Sequence, residues 1–175
     1  MDLKLVDAND PILRQDLESF DFSNPPVDPE KLAIAMVECM RKNNGLGLSA
    51  NQVGLPYNMF VIEGEPAYAC FNPKVVDISS EEVLLDEGCL SYPGLFVKIK
   101  RPRHVKVRFT GPDGETYTKK FTGMTARAFL HEYDHLRGQI FYQRANLVHR
   151  ERAMRQWRRY KKQVKNNVNS ETLPA

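Results

Sequence analysis

The sequence predicts an α+β domain in which short antiparallel strands surround a central helix and a further helix lies near the C-terminus. Three observations support this fold class: an early amphipathic helix, a middle region of strand patterns, and two helical segments at the end. Helices segregated from the strands in this way favour α+β over alternating βαβ units. With 175 residues, 42% apolar and 27% charged, the chain fits one domain with a sizeable core. We predict a single domain over 1–165 and a disordered tail over 166–175.

Composition excludes several classes of protein. The longest unbroken apolar run, 32–37, has six residues, whereas a membrane-spanning helix needs about 20. The acidic start at 1–7 lacks the apolar stretch of a secretory signal. Three cysteines cannot all pair with one another, which favours a reducing, cytoplasmic setting over a disulfide framework. We therefore expect a cytoplasmic protein with no membrane association.

The first helix is predicted to begin at Pro29, after a polar, proline-rich N-terminal segment that is expected to be loop. Asp28 before Pro29 is the pattern of an N-cap followed by proline at the first helical position. Apolar residues then recur at helical spacing at positions 32, 35, 36, 39 and 40. The helix is predicted to end at 43–45, Asn-Asn-Gly, because Asn and Gly tolerate the left-handed conformation of a helix C-terminus.

A strand-rich region follows this helix. The candidate strands are 59–63, 69–71, 75–78, 82–85, 97–100, 104–110 and 115–121. Over 104–110, Val105, Val107 and Phe109 alternate with charged residues, which is the pattern of a half-buried strand. The turn at 111–114, Gly-Pro-Asp-Gly, is predicted to connect it to its return strand.

Two helices are predicted after the strands. The first covers 125–137 and stops at Gly138. The second contains the basic segment 150–165. Its apolar side is predicted to be formed by Leu147, Met154 and Trp157, with Tyr160 or Val164 as further candidates.

The segment 131–135, His-Glu-Tyr-Asp-His, has the spacing of a metal-binding helix. Two histidines at i and i+4 lie one turn apart on the same face, so both imidazoles reach one ion. Glu132 stands beside a ligand and can act on a water next to that ion without being a ligand itself. The alternative is a pair of surface histidines on a charged helix. The motif predicts a catalytic metal site on the central helix.

An open metal site needs a third protein ligand. Downstream, His149 and Glu151 are available, but they stand in or beside a basic segment that suits a solvated helix. Upstream, Cys89 follows a glycine near the end of a predicted strand and could present its thiolate into a cleft. A single cysteine is more often a small buried hydrophobe, an interpretation that suits Cys39 and Cys70 better. Cys89 is therefore the better-supported candidate for the third ligand, and Glu151 is a weaker one.

A small-residue segment at 45–52, Gly-Leu-Gly-Leu-Ser-Ala-Asn-Gln, could let a ligand approach the backbone closely. It lacks the Gly-Lys-Ser/Thr ending of a phosphate-binding loop. Gln52 could donate a hydrogen bond into a site. The alternative is a helix-to-strand turn followed by an ordinary surface glutamine.

Together and in this order, the three segments resemble the peptide deformylase family. That family's pattern is a G-x-G-L-A-A-x-Q loop, an E-G-C-L-S segment and an H-E-x-D-H helix, which correspond to 45–52, 87–91 and 131–135 here. The resemblance extends to about residue 165. One departure is Ser49, where the family usually has alanine. A hydroxyl at that position needs a hydrogen-bond partner.

The resemblance implies hydrolysis of the formyl group from N-formylmethionine at the start of nascent polypeptides, with release of formate. The implied ligands of one divalent ion per chain are Cys89, His131 and His135. Water on that ion would attack the formyl carbon, with Glu132 as general base and then general acid. The developing oxyanion would be stabilised by the Gln52 side-chain amide and the Leu90 backbone N–H.

The same resemblance implies the substrate contacts. Leu46 and Gly47 would meet the peptide backbone as an added strand does. The methionine pocket would be formed by Leu46, Leu85, Met124 and Ala128, for which ordinary core packing is the alternative. Glu87 is expected to brace the loop around the metal. Asp134 is expected either to support a ligand from behind or to be a solvated helix charge.

The expected cofactor is one divalent ion whose identity the ligands leave open. A Cys-His-His set suits iron(II), zinc, cobalt or nickel. The resemblance implies iron(II) as the native ion, with Zn²⁺, Ni²⁺ or Co²⁺ able to substitute. A thiolate beside iron(II) also predicts oxygen sensitivity.

Charge is concentrated in the segment 150–165, which we name the basic segment. It holds eight Lys or Arg and one Glu, a net charge of +7, which leaves −4 on the rest of the chain. Such a segment is either a solvated helix face or a surface that docks to ribosomal RNA near the exit of the nascent chain. We expect no DNA partner and a monomeric chain.

Two other functions are compatible with parts of the sequence. A zincin-type hydrolase would take its third ligand from beyond the motif helix and leave Cys89 spare. A structural metal module or a basic RNA-binding domain would need no open coordination position, and structural zinc usually has four protein ligands. The metal-ligand set and the position of Cys89 discriminate among these functions.

Overall fold

The computed structural model describes the backbone of residues 1–171 and the side chains of residues 1–166. The first 28 residues run over the surface of the domain, with a 3-10 turn at Pro11–Arg14. This agrees with the loop expected from their polarity and prolines. The Val6 N–H donates to the Gln52 carbonyl (2.9 Å), so this segment contacts the small-residue loop.

Helix α1 spans Pro29–Lys42 and is capped as predicted. Asp28 Oδ1 accepts from the backbone N–H groups of Glu30 (3.0 Å) and Lys31 (3.2 Å). These bonds satisfy two of the donors that a helix N-terminus leaves free. The helix ends at Asn43, and Asn44 has a φ of 55°, so the expected left-handed residue is present. The predicted apolar stripe is buried, with Leu32, Met36 and Met40 fully inaccessible.

Within residues 1–171, seven strands form two antiparallel sheets. The first sheet has the order β1-β2-β3-β6-β7 and the second pairs β4 with β5. Their bounds are β1 Gly47–Ser49, β2 Met59–Ile62, β3 Tyr68–Ile78, β4 Glu82–Gly88, β5 Phe96–Pro102, β6 His104–Thr110 and β7 Thr116–Thr122. The predicted antiparallel α+β class is confirmed.

Two strand predictions were wrong. The segments 69–71 and 75–78 form one long strand, β3, whose register with β6 shifts between Phe71 and Lys74 and again between Val75 and Asp77. Extra residues at such bulges break the period-2 pattern that marks a strand in a sequence. Gly47–Ser49 was expected to be loop, but it pairs with β2 as β1, and a three-residue strand is too short to show alternation.

Helix α2, Gly123–His135, is the central helix. It packs on β1, β2, β6 and β7 through Ala126 and Phe129, which are fully buried. It begins two residues earlier and ends two residues earlier than predicted, and the chain turns at Gly138, where φ is +63°. The helix therefore has apolar residues on the face toward the sheet and the histidine motif on the opposite side.

Helix α3 spans Leu147–Glu171 and packs against β5. A cluster of buried side chains joins it to the β4–β5 sheet, with Met154 and Trp157 at its edge. Of the proposed apolar residues, Leu147 is 59% exposed and Tyr160 and Val164 are each 43% exposed, so the predicted apolar side is buried only in part. Of the predicted disordered tail, 166–175, the backbone of 166–171 instead continues α3, and 172–175 lie outside the described residues. No described helix combines the length and apolar character that crossing a bilayer requires.

Candidate metal centre and substrate cleft

One thiol and two imidazoles meet where the β4–β5 loop faces α2. The ligand atoms of Cys89, His131 and His135 all lie within 4.8 Å of one another. Cys89 Sγ is 3.2 Å from His135 Nε2. Both histidines are buried and the cysteine is partly exposed. Within the described residues this is the only such group of three or more, and its soft and borderline donors suit a divalent transition metal.

His131 is oriented by a carboxylate behind it. Its Nδ1–H donates to Glu87 Oε1 (2.7 Å), which leaves Nε2 for an ion. Burial raises the pKa of Glu87, but the hydrogen bonds from His131 and Arg101 outweigh it and hold that pKa well below its usual range. Glu87 is therefore ionised and holds the His131 imidazole in place, which agrees with the structural role expected from the sequence.

A buried network of arginines supports this brace. Arg101 donates to Glu87 Oε1 (2.7 Å) and to Asp134 Oδ2 (2.7 Å), so it links β5 to α2. Arg127 donates to Glu87 Oε2 (3.0 Å), and Arg144 donates to both oxygens of Asp134. Asp134 thus acts behind the site through Arg101 and is not a solvated helix charge.

Glu132 faces the space beside the three ligands. It is 3% exposed, and its Oε2 has no hydrogen-bond partner among the described residues. Burial raises the pKa of Glu132 to about 7. Gly47 lies so close that a Cβ at that position would be 2.5 Å from Glu132 Oε1. The carboxyl group is therefore held against β1 with one oxygen free.

Gln52 reaches the same site from the small-residue loop. Its Nε2 donates to Ser91 Oγ (3.0 Å) and lies 3.4 Å from Cys89 Sγ. Its Oε1 accepts from the Ser49 N–H (2.9 Å), which fixes the orientation of the amide. Ser49 Oγ is buried and faces the Gln52 backbone N–H in a capping box, but no hydrogen bond of good geometry reaches it from the described residues. The partner that its hydroxyl was expected to find is therefore this weakly bonded N–H.

The site opens into a cleft of about 670 Å³. Among the predicted site residues, those that line it are Leu46, Gly47, Gln52, Cys89, Leu90, Met124, Ala128, His131 and Glu132. His135 does not line the cleft, although its ligand atom lies with those of Cys89 and His131. Leu85 is 42% exposed on β4 and does not line the cleft. Leu46 and Met124, each about half exposed, form the rim.

The downstream candidates for a third ligand lie elsewhere. His149 lines a separate, smaller cavity between β5 and α3, together with Lys98 and Arg152. Glu151 is exposed on α3. Among residues 1–171, a zincin ligand set is therefore not assembled.

Sequence reasoning missed the arginines and Asn51. Arg101 follows Val97 and Ile99 at the inward positions of β5, so the strand alternation already placed it among buried residues. Arg127 is four residues before His131 and shares its helix face. Asn51 Nδ2 donates to the His135 carbonyl (2.8 Å), a contact between distant segments that no local pattern signals.

Comparison with protein families gives a match over most of the chain. A sequence model described as polypeptide deformylase matches residues 2–151. Peptide deformylase 1B, chloroplastic/mitochondrial, of Arabidopsis thaliana is 39% identical over 148 residues, which cover 81% of this chain and 54% of that protein. The chain thus matches about half the length of this plant relative.

A bacterial relative and a solved structure match over nearly their whole lengths. Peptide deformylase of Desulforudis audaxviator is 34% identical over 149 residues, which cover 84% of this chain and 96% of that protein. The crystal structure of a plant peptide deformylase, PDF1B, superposes with a TM-score of 0.82 and 34% identity, covering 99% of this chain and 95% of that one.

Proposed function

Because the chain belongs to the polypeptide deformylase family, we propose that it is the metallo-hydrolase that removes the formyl group from N-formylmethionine at the start of nascent polypeptides and releases formate. The observation that carries this function is the placement of a Cys-His-His group beside a buried carboxyl group in one cleft. A structural metal site would use a fourth protein ligand instead.

Cys89, His131 and His135 would hold the ion, and the donor set fits it. A bound divalent cation supplies Lewis acidity, which polarises the formyl carbonyl and lowers the pKa of a water. Iron(II) is the native ion in this proposal, and Zn²⁺, Ni²⁺ or Co²⁺ substitute for it, since each accepts thiolate and imidazole together. The bond from His131 to Glu87 keeps the imidazole in the orientation that ligation needs.

Glu132 moves the proton. The Glu132 carboxylate, which lines the cleft, accepts the proton of the attacking water, and the same group then gives that proton to the departing nitrogen. A pKa of about 7 suits both roles, because the carboxyl group gains and loses a proton near neutral pH. Burial excludes bulk water that would otherwise compete for it.

The Gln52 side-chain amide and the Leu90 backbone N–H stabilise the negative charge that develops on the formyl oxygen. Gln52 is held by Ser49 and points its Nε2 toward Cys89. Leu90 follows Cys89 directly and lines the same cleft. Donors that are fixed before the reaction stabilise the oxyanion without reorganisation.

The peptide would be placed along the terminal strand of the first sheet. β1 is the edge strand of its sheet, so Leu46 and Gly47 offer backbone groups to an added strand. The methionine side chain enters the cleft beside Met124 and Ala128. Leu85, which does not line the cleft, is omitted from this pocket.

The test is formate release from formyl-Met-Ala-Ser. The parent protein should turn over, whereas Glu132→Gln should lose nearly all activity and keep its metal, because only the proton carrier is removed. Metal content of both proteins is measured on the same samples. Absence of turnover by the metal-loaded parent, or full turnover by Glu132→Gln, contradicts the proposal.

The basic segment is the proposed ribosome-docking surface. Arg155, Arg158, Arg159 and Lys162 are all exposed on α3, and their spacing places them on one helix face. Phosphate contacts of this kind weaken steeply with salt. Docking to the ribosome would bring the protein close to the nascent chains that are its proposed substrates.

Cosedimentation with ribosomes across a salt series tests the docking. Replacing those four residues by glutamine should weaken binding and flatten its salt dependence. The matched control replaces four exposed basic residues of the β6–β7 hairpin, Lys106, Arg108, Lys119 and Lys120, by glutamine. Equal cosedimentation by the two quadruple variants refutes docking through α3.

The proposal also covers the compartment of the protein and its oligomeric state. We propose a cytoplasmic monomer, and the three unpaired cysteines support the reducing compartment. Cell fractionation and analytical ultracentrifugation test the two parts. Recovery in an organelle or as a stable dimer contradicts them.

A further inference from the structure

The loop between β4 and β5 forms one wall of the cleft. We name residues 89–95 the cysteine loop. Cys89 lies at its start and Pro93 and Gly94 near its end, and all three line the cleft. The Tyr92 N–H donates to the Cys89 carbonyl (3.0 Å) and closes the first turn. The Leu95 N–H donates to the Tyr92 carbonyl (3.1 Å) and closes a second turn, which leaves the Pro93 carbonyl for a donor from outside the loop.

Helix α3 supplies such a contact through Trp157. The indole Nε1–H donates to the Pro93 carbonyl (2.9 Å). The ring lies edge-to-face with Tyr92, with 6.2 Å between centroids. Lys161 Nζ covers the ring at 3.7 Å. Contacts on several sides therefore fix the orientation of the Trp157 ring, and its N–H donor points at the backbone of the cysteine loop.

Tyr160, one turn further along α3, packs on the neighbouring residue of the loop. A Cβ at Gly94 would lie 2.2 Å from Tyr160 Cε1. Gly94 also has a φ of +78°, which glycine adopts without strain. The helix thus lies directly against the main chain of Pro93–Gly94, on the side opposite the cleft.

We propose that Trp157 is a positioning residue for substrate binding: through Pro93 it sets the wall of the cleft against which the peptide lies. The inference rests on the proposed function, since it assumes a formylated peptide in this cleft. Pro93 and Gly94 offer no reacting group. Moving them therefore weakens binding of the peptide beyond its first residue and leaves the chemical step unchanged.

Kinetics of Trp157→Phe test this role, because phenylalanine keeps an apolar ring and removes the N–H donor. KM for formyl-Met-Ala-Ser should rise severalfold, with about fivefold as the upper limit set by the net free energy of one hydrogen bond. The kcat per bound metal should change less than twofold, and KM for formyl-methionine, which lacks the following residues, should not change. The matched control is Gln163→Ala, an exposed residue of the same helix.

The outcomes separate this inference from the function on which it rests. Failure of the parent to release formate refutes the function. Turnover by the parent with an unchanged tripeptide KM in Trp157→Phe refutes the positioning role alone. Equal losses for both substrates, or a fall in kcat with unchanged KM, also refute it, because they indicate general damage to the site.

A second measurement uses the unaltered protein. Trp157 is the only tryptophan in the sequence, so its indole N–H gives one resonance in a ¹H–¹⁵N spectrum. Adding the product peptide Met-Ala-Ser should shift that resonance, with the concentration dependence of product inhibition. A resonance that stays in place at saturating peptide overturns the inference even if Trp157→Phe is unstable.

Discussion

Glu132 is a carboxyl group whose surroundings fit it for proton transfer. Burial raises its pKa to about 7, which is the range in which a general base works well at neutral pH. The close approach of β1 fixes its direction, because only a glycine at position 47 leaves room for Oε1. One residue without a side chain thus determines where the reactive carboxylate stands.

Gly47→Ala should therefore displace Glu132. The added methyl group would lie 2.5 Å from Glu132 Oε1, and a shift of about 1 Å in a catalytic group can cost about a hundredfold in rate. We expect kcat for formate release to fall by about that factor while metal content is unchanged. A kcat within twofold of the parent would show that Glu132 does not need its observed position.

Ser49→Ala, two residues further along the chain, should affect stability and not the rate of formate release. The Ser49 hydroxyl is buried without a good partner, and an unsatisfied buried polar group costs about 1–3 kcal/mol. Alanine should raise the free energy of unfolding by about 1 kcal/mol in urea titration and leave kcat unchanged. A loss of stability would mean that the hydroxyl makes a bond that stabilises the loop.

At the scale of elements, α2 and β5 are joined by charge rather than by apolar packing alone. Arg101, at the end of the inward face of β5, contacts carboxylates on β4 and α2. The sequence predicted both elements and the bracing role of Glu87. It left the arginine partners unidentified, because ion pairs between residues 14 and 33 positions apart have no local signature.

Arg101→Ala tests this connection. Removing a buried partner leaves two carboxylates short of a positive charge, which costs about 3 kcal/mol or more. The matched control is Lys98→Ala, which breaks an exposed pair with Asp86 on the same strands and should cost less than about 1 kcal/mol. Urea unfolding measures both. Similar small losses in the two variants would show that the buried network does not stabilise the fold.

At the scale of the whole molecule, the fold brings together three segments that are remote in the chain. The sequence predicted α1 and the two later helices from their local patterns. Of the site motifs only 131–135 has a strong pattern of its own, and 45–52 and 87–91 were identified through the family resemblance. β1 and the continuous β3 were missed because their pairing is decided by other strands. The contact of α3 with the cysteine loop was likewise unpredictable, because it joins Trp157 to a backbone carbonyl 64 residues away.

The most direct test of the account is the metal content of purified protein. The parent, reconstituted anaerobically with iron(II) or with Zn²⁺, should contain one ion per chain. Cys89→Ala should lose stoichiometric metal, whereas Cys39→Ala, which removes a buried thiol outside the site, should keep it. Elemental analysis after gel filtration gives the ratio. One tightly bound ion per chain in Cys89→Ala would contradict the assignment of the Cys-His-His site.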